Sequence, residues 1–406
     1  MHYYLIDGRK FSDADHGLQA ALARVHHSAQ RPLCLCTHPG VPMYVAKVDG
    51  HFQIKRMPDS GARHAAECES FEPPAALSGL GEVLGHAIKE DVNDGLTTLR
   101  LDFALNKIAG RAPPAPSGAE PGSIKAESAK LTIRSLLHYL WDSAHLTHWN
   151  PRMAGKRSWA TVHKYLLRAS EGNVTKGMQL ASTLYVPEPF YLDRKAEIVQ
   201  RRAALISAAD KSNRPGQKLF IVIGDLKEIT EARYGWKMTL KQVPDFPFMI
   251  STDLNNKLKV FRPELDLWNA YGSEAHFIVI ATFGVGSTGV AQIEEMSVMV
   301  TNEQWIPFSN VHEKELIDSL IAGGRRFVKG LAYNLPKSRP LACAVLTDTQ
   351  PTDTAIHLVP ANAPESYQTA LADLIESSRD LAHIQWISGE VLPAIPPAVI
   401  PDKHDN

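Results

Sequence analysis

Apolar and polar positions change period several times along this chain. Val41 to Val48 is apolar and strand-like. Phe52-Gln53-Ile54-Lys55-Arg56-Met57 alternates apolar with polar, the period of a half-buried strand. Asp49-Gly50 between them is a type I′ hairpin signal. Pairing about that turn places residue n opposite residue 99 minus n, so Cys36 lies opposite position 63 and Cys34 opposite position 65. A helix-like stretch then runs from Leu77 to Asp91, and Leu99, Leu101, Phe103 and Leu105 alternate as a strand.

Residues 128–207 read as helical. Leu136, Leu137, Leu140, Trp141 and Ala144 mark the buried face of a first helix. Ser158 is an N-cap for a second, which buries Trp159, Val162, Leu166 and Tyr165. A third is expected from Val174 to Leu184, and a long polar one from Asp193 to Ala208. From Lys218 the period becomes two, with strands at Leu219–Ile223, Trp236–Leu240, Phe248–Ile250, Phe277–Thr282 and Met296–Val300. Gly224-Asp225-Leu226-Lys227 reads as a turn out of the first of these. That pattern suits a barrel, including a small nucleic-acid-binding one. The end reads helix (Glu313–Ala322), strand (Pro340–Thr347), strand (Ala355–Val359), helix (Ser366–Ser377), strand (His383–Ile387).

These elements predict an α+β multidomain protein. The expected domains are a zinc-binding module over 1–109, a linker over 110–124 rich in Pro, Gly and Ser, a helical, helix-turn-helix-like domain over 125–216 ending in a linker from Asp210 to Gly216, a β-rich domain over 217–306, an α/β domain over 307–392 and a loose proline-rich tail over 393–406. No internal repeat is found.

Composition narrows the chemistry. Of 406 residues, 44% are hydrophobic and 21% charged, which is ordinary globular usage. The net charge of −1 rules out polyanion binding by the whole chain and leaves only local patches. No apolar run approaches the roughly eighteen residues of a membrane span. The start Met1-His2-Tyr3-Tyr4-Leu5-Ile6 lacks the basic and apolar regions of a signal peptide. A cytoplasmic protein with no membrane partner is expected.

The distinctive chemistry lies near the start. Cys34-Leu35-Cys36 and His64-x-x-x-Cys68 bring three of the four cysteines beside one histidine. The hairpin register delivers His64 to the end of the ribbon that carries the C-x-C pair. His64 and Cys68, four apart, face one side of a helical turn. Three thiolates and an imidazole form one tetrahedral zinc site, closed and therefore structural, with no position for a catalytic water. His38 is a rival ligand. The competing reading is small buried cysteines and a surface histidine, which a segment this short cannot turn into a good core unaided.

Between Ser143 and Ser170 there is no acidic residue, while Arg152, Lys156, Arg157, Lys164 and Arg168 give a local charge of +5 with Trp149, Trp159 and Tyr165 interleaved. This predicts phosphate contact by a helical DNA-binding module, against the alternative of a merely solvated face. Gly155-Lys156-Arg157-Ser158 is not a phosphate loop, because its first glycine and preceding strand are missing.

The C-terminal order of elements looks like a degenerate restriction-endonuclease-like core without its chemistry. Cys343 stands where that motif has a metal-binding aspartate, and Ala355-Ile356-His357-Leu358-Val359 offers neither its glutamate nor its lysine. If the chain were a nuclease, Glu315, Asp348 and Asp353 would be the carboxylates. Cys343 reads as a buried small residue.

Cys34-Leu-Cys36, Met43-Tyr-Val45, Lys55-Arg-Met-Pro58, His64 to Cys68, Leu137-His-Tyr-Leu-Trp141, Ala154-Gly-Lys-Arg-Ser-Trp159 and Arg325-Arg-Phe-Val-Lys329 together resemble the bacterial domain of unknown function 1173 family over nearly the whole chain. That resemblance implies a mobile-element setting and adds no catalytic residue. The expected function is a non-enzymatic, zinc-stabilised, DNA-associated accessory protein. The alternatives are a metal-dependent nuclease and a protein-interaction scaffold.

Overall fold

A computed structural model describes residues 2–48, 50–107, 129–210, 217–286 and 289–399. The expected turn residue Asp49, the 110–124 linker and positions 211–216 of the second linker lie outside the described residues, as does the tail beyond 399.

The chain divides into two compact units, neither continuous in sequence. The first contains Met1–Arg100, Glu171–Gln179 and Gly323–Asn406. The second contains Leu101–Ser170 and Leu180–Ala322.

In the first unit, Val41–Val48 and His51–Arg56 form the expected hairpin. Met43 pairs with Arg56 and Val48 with His51, the register in which each pair sums to 99. Tyr3–Ile6 pairs with Arg9–Ser12 on one side and with Leu33–Cys34 on the other, and Leu33–Cys34 pairs with Val41–Val48. The result is a five-stranded antiparallel sheet. The helix Leu18–Val25 covers part of it, burying Leu22 and Val25 against Ile6 and Val45.

The helix expected over 77–91 is not formed. Its residues make a 3₁₀ turn (Ala75–Leu77), one short helix (Leu80–Val83) and the strand Ile88–Glu90. Leu99, Leu101, Phe103 and Leu105 are all buried, although only Thr97–Leu99 is a strand. The helix expected over 174–184 is likewise absent. Asn173–Thr175 and Met178–Gln179 pair instead, and Asn173–Thr175 joins Thr97–Leu99 in a four-stranded sheet. Positive φ at Lys176 and Gly177 makes the tight turn that a helical reading overlooks.

The end of the chain supplies Phe327–Lys329, Ala344–Leu346, Thr354–Val359 and Ala382–Ile387, paired in that order. The last pair is parallel, with the helix Glu365–Ser377 as the connection. The proline-rich tail is tied down as far as it is described. Arg325 donates to the Pro396 carbonyl, and the Val399 amide donates to the Asp348 carbonyl.

In the second unit, Ile133–Ser143 buries Leu136, Leu137, Leu140 and Trp141, with Thr132 accepting from the Ser135 amide as its cap. Trp159–Ser170 buries Trp159, Val162 and Leu166, whereas Tyr165 is exposed. Lys195–Asp210 is the expected long polar helix.

The β-rich region closes on itself. Phe220–Glu231 pairs with Trp236–Leu240, which pairs with Phe248–Ile250. Phe248–Ile250 runs parallel to Ala291–Asn302. Ala291–Asn302 pairs with Ala275–Val285, which returns to Phe220–Glu231. The strand through Phe220–Glu231 is not broken at Gly224. A Cβ at Gly224 would lie 2.6 Å from Leu240 Cδ1, so the glycine permits close packing rather than a turn. Asp225 is buried, and its carboxylate is satisfied by Lys241, by His276 Nδ1 and by the Phe277 amide.

Candidate metal centre

Cys34, Cys36, His64 and Cys68 converge, with their ligand atoms all within 4.8 Å of one another. The Cys34 and Cys68 sulfurs are 3.6 Å apart, Cys36 Sγ is 3.3 Å from His64 Nδ1, and Cys68 Sγ is 3.6 Å from the same nitrogen. A tetrahedral ion with bonds of about 2.3 Å to sulfur and 2.0–2.1 Å to nitrogen requires edges of roughly 3.8 Å and 3.5 Å. These three edges are close to those values. All four cysteines are free thiols.

Local structure explains the convergence. Cys34 is fixed by its strand pairing with Tyr4 and Val41. His64 is not on a helical turn, contrary to expectation: the 3₁₀ turn Gly61–Arg63 ends in an extended His64. The Cys68 amide then donates to the Ala65 carbonyl, which brings Cys68 back to the site. Backbone amides serve two sulfurs, Ala65 N–H toward Cys36 and Ser70 N–H toward Cys68, as suits sulfur that carries negative charge. The hydrogen bond from Cys34 pulls the Cys68 thiol well below its ordinary range and pushes Cys34 up, while burial pushes Cys36 up. The Cys68 sulfur in turn raises His2.

His64 Nε2 is buried without a partner among the described residues. His38 is exposed and lies outside the cluster. Cys34 and Cys68 pack with Val41, Met43, Phe71 and Val328. Val328 lies nearly three hundred positions downstream, and no sequence signal announces its contact with the site.

The remaining sequence-predicted residues are placed differently. Arg157 is an internal residue: its guanidinium donates to the carbonyls of Leu146, Gln304, His145 and His148, and burial pulls it down to about 10. Arg152, Lys156, Lys164 and Arg168 are exposed. Glu315 belongs to the second unit, is exposed, and sits 3.7 Å from His312. Asp348 and Asp353 belong to the first. Both Asp348 oxygens accept from Arg325, at 3.0 and 2.6 Å, so this carboxylate is a buried structural partner. Burial, with Asp348 and Glu67 nearby, pushes Asp353 up to about 6.

A cysteine–histidine cluster within a mixed α+β architecture defines the class: a protein with a candidate metal site. The chain belongs to the family described as protein of unknown function (DUF1173), whose model matches residues 4–389. Neither a curated protein nor a solved structure matches it. Among the described residues, no helix is long and apolar enough to cross a membrane.

Proposed function

We propose that this protein is a non-enzymatic, DNA-associated accessory protein of a mobile genetic element, with one zinc ion held structurally by Cys34, Cys36, His64 and Cys68. Three thiolates with one imidazole are a donor set suited to zinc, and four protein ligands leave no open coordination position. The mobile-element setting rests on the resemblance carried by the sequence.

One observation carries the DNA reading. Arg152, Lys156, Lys164 and Arg168 are exposed, and among the described residues none of their side chains forms an ion pair. Lys164 and Arg168 stand four apart on Trp159–Ser170 and so share a face, with exposed Tyr165 beside them. Cations without carboxylate partners are available to phosphates. With a strand pair in place of the helix expected over 174–184, the reading is electrostatic and implies no sequence readout.

The test is a duplex-DNA titration at two salt concentrations, with and without magnesium. Binding that weakens with salt, and weakens further in a Lys164→Ala, Arg168→Ala variant, is the expected result. Absence of binding at low salt overturns the proposal. Magnesium-dependent cleavage lost in Glu315→Ala would replace it with the nuclease reading.

A further inference from the structure

The five strands of the closed ring have an informative connectivity. Numbered in chain order within the ring, they follow 1-2-3-5-4 and back to 1, and the third and fifth run parallel. The first strand serves both halves: Phe220–Asp225 pairs with the fourth strand, and Leu226–Glu231 pairs with the second, with a register shift between Leu226 and Glu228. The helix Arg262–Tyr271 lies between the third and fourth strands, with Trp268 against Phe277. This is the connectivity of an OB barrel, whose second and third strands and adjoining loops form a ligand face in many proteins. Fold alone does not assign a ligand, so the residues on that face decide.

The turn from first to second strand spans Ala232–Gly235, closed by the Ala232 amide on the Gly235 carbonyl. It is rigidly specified. Gly235 has φ +84°, and a Cβ there would lie 2.5 Å from the Ile250 carbonyl oxygen. The turn holds Tyr234 78% exposed, with the Arg233 guanidinium 5.3 Å from its ring centre. The open ring presents a π-face to solvent.

Behind Tyr234 lies a cavity of about 570 Å³ lined by Gly235, Ser251, Thr252, Gln292 and the Lys107–Glu294 ion pair. Along the outside of the barrel, one row of facing residues crosses four strands: Thr230, Lys237, Met249, Gln292. Among the described residues, neither Arg233 nor Lys237 has a carboxylate partner. Glu228, Glu231, Asp253, Glu294 and Glu295 are the acidic residues near this face in sequence, and Glu294 is paired with Lys107.

We propose that this barrel face binds single-stranded nucleic acid, with Tyr234 as a stacking platform for one base and Arg233 and Lys237 facing the phosphates. A base stacks on an open ring regardless of its identity, and unpaired cations beside the ring follow the backbone. Soft Met249 and polar Gln292 and Thr230 offer a surface that suits an unpaired strand. The inference concerns a different surface from the helical patch and goes beyond the duplex reading.

The experiment uses the full chain and a fluorescent oligodeoxythymidine of about twelve nucleotides, within the site sizes of such barrels, beside a duplex of equal length. Tyr234→Ala is expected to weaken binding of the single strand about tenfold, with Tyr234→Phe near the parent. Duplex binding stays unchanged in both. Tyr234 is exposed, so neither variant threatens the fold. Single-strand binding that is absent, or indifferent to Tyr234→Ala, overturns the inference. Binding lost instead in Lys164→Ala, Arg168→Ala also overturns it and assigns the strand to the helical patch. Tyr234-dependent single-strand binding without duplex binding sustains it and removes the duplex reading.

Discussion

The Cys34 and Cys68 sulfurs lie 3.6 Å apart although the two residues are thirty-four positions apart in the sequence. Each arrives by a different route, one from a short strand and the other from a turn beyond the hairpin. With His64 Nδ1 and Cys36 Sγ close by, the four donors are near enough to one another to hold one ion.

The first prediction concerns stoichiometry. Native mass spectrometry should find one zinc ion per chain. Cys36→Ser should lower that occupancy, because a three-ligand remnant holds zinc less tightly. Full occupancy in a Cys34→Ser, Cys36→Ser double variant would refute the ligand assignment.

Chelation should loosen more than the first seventy-five residues. Val328, on the strand Phe327–Lys329, packs against Cys34 and Cys68 in one apolar cluster. Metal binding coupled to folding would therefore protect both segments. Hydrogen exchange should rise in residues 33–71 and 327–329 after chelator treatment. Unchanged exchange at both places would count against a structural metal.

Arg157 and Lys164 should part company on substitution. Arg157→Ala leaves several buried carbonyls without their donor and should destabilise the protein by about 2 kcal/mol, read as a lower Tm. Lys164→Ala should leave Tm unchanged while reducing the salt slope of duplex binding by about one, the signature of a lost phosphate contact. Equal loss of stability in both variants would contradict this division.

Asp353 gives a pH dependence of definite sign. Burial raises its folded-state value from 3.8 to about 6, so the fold favours the protonated acid. Its favourable contribution is present below about pH 4 and is lost as pH rises through about 6. Asp353→Asn should thus stabilise the protein at pH 7.5, by about 1 kcal/mol after allowance for partial solvent screening, and should match the parent near pH 3.5. A stabilisation that persists at pH 3.5 would point to another cause.

Removing one side of the Arg325–Asp348 pair should be costly. Both side chains are nearly buried, and two hydrogen bonds join them. Asp348→Asn leaves a buried guanidinium without its counter-charge and should cost about 3–5 kcal/mol in denaturant unfolding. A loss below about 1 kcal/mol, the range of an exposed pair, would show that solvent reaches the site.

The legible parts of this protein were the local ones. Strand alternation and the Asp49-Gly50 signal gave a register in which partners sum to 99, and Met43↔Arg56 through Val48↔His51 follow it. The same locality brought His64 near Cys36, so the candidate ligands could be read from spacing. Leu136, Leu140 and Trp141 were equally legible, because a helix repeats its buried face every three or four residues. Period alone failed at 174–184, where tight-turn backbone at Lys176 and Gly177 reverses a short strand pair. It failed again at Gly224, where space for Leu240 rather than chain reversal requires the glycine.

What only the tertiary structure decided are the long-range choices. The sequence marked Arg157 as a surface cation, and four carbonyls drew it inside. The sequence showed strands, and the parallel pairing of Phe248–Ile250 with Ala291–Asn302 closed them into a ring. It showed two ends of a chain, and the packing of Val328 on Cys34 joined them. Periodicity records which face of an element is apolar. Which other apolar face it meets depends on burial summed over the whole chain, and neighbouring residues do not encode that sum.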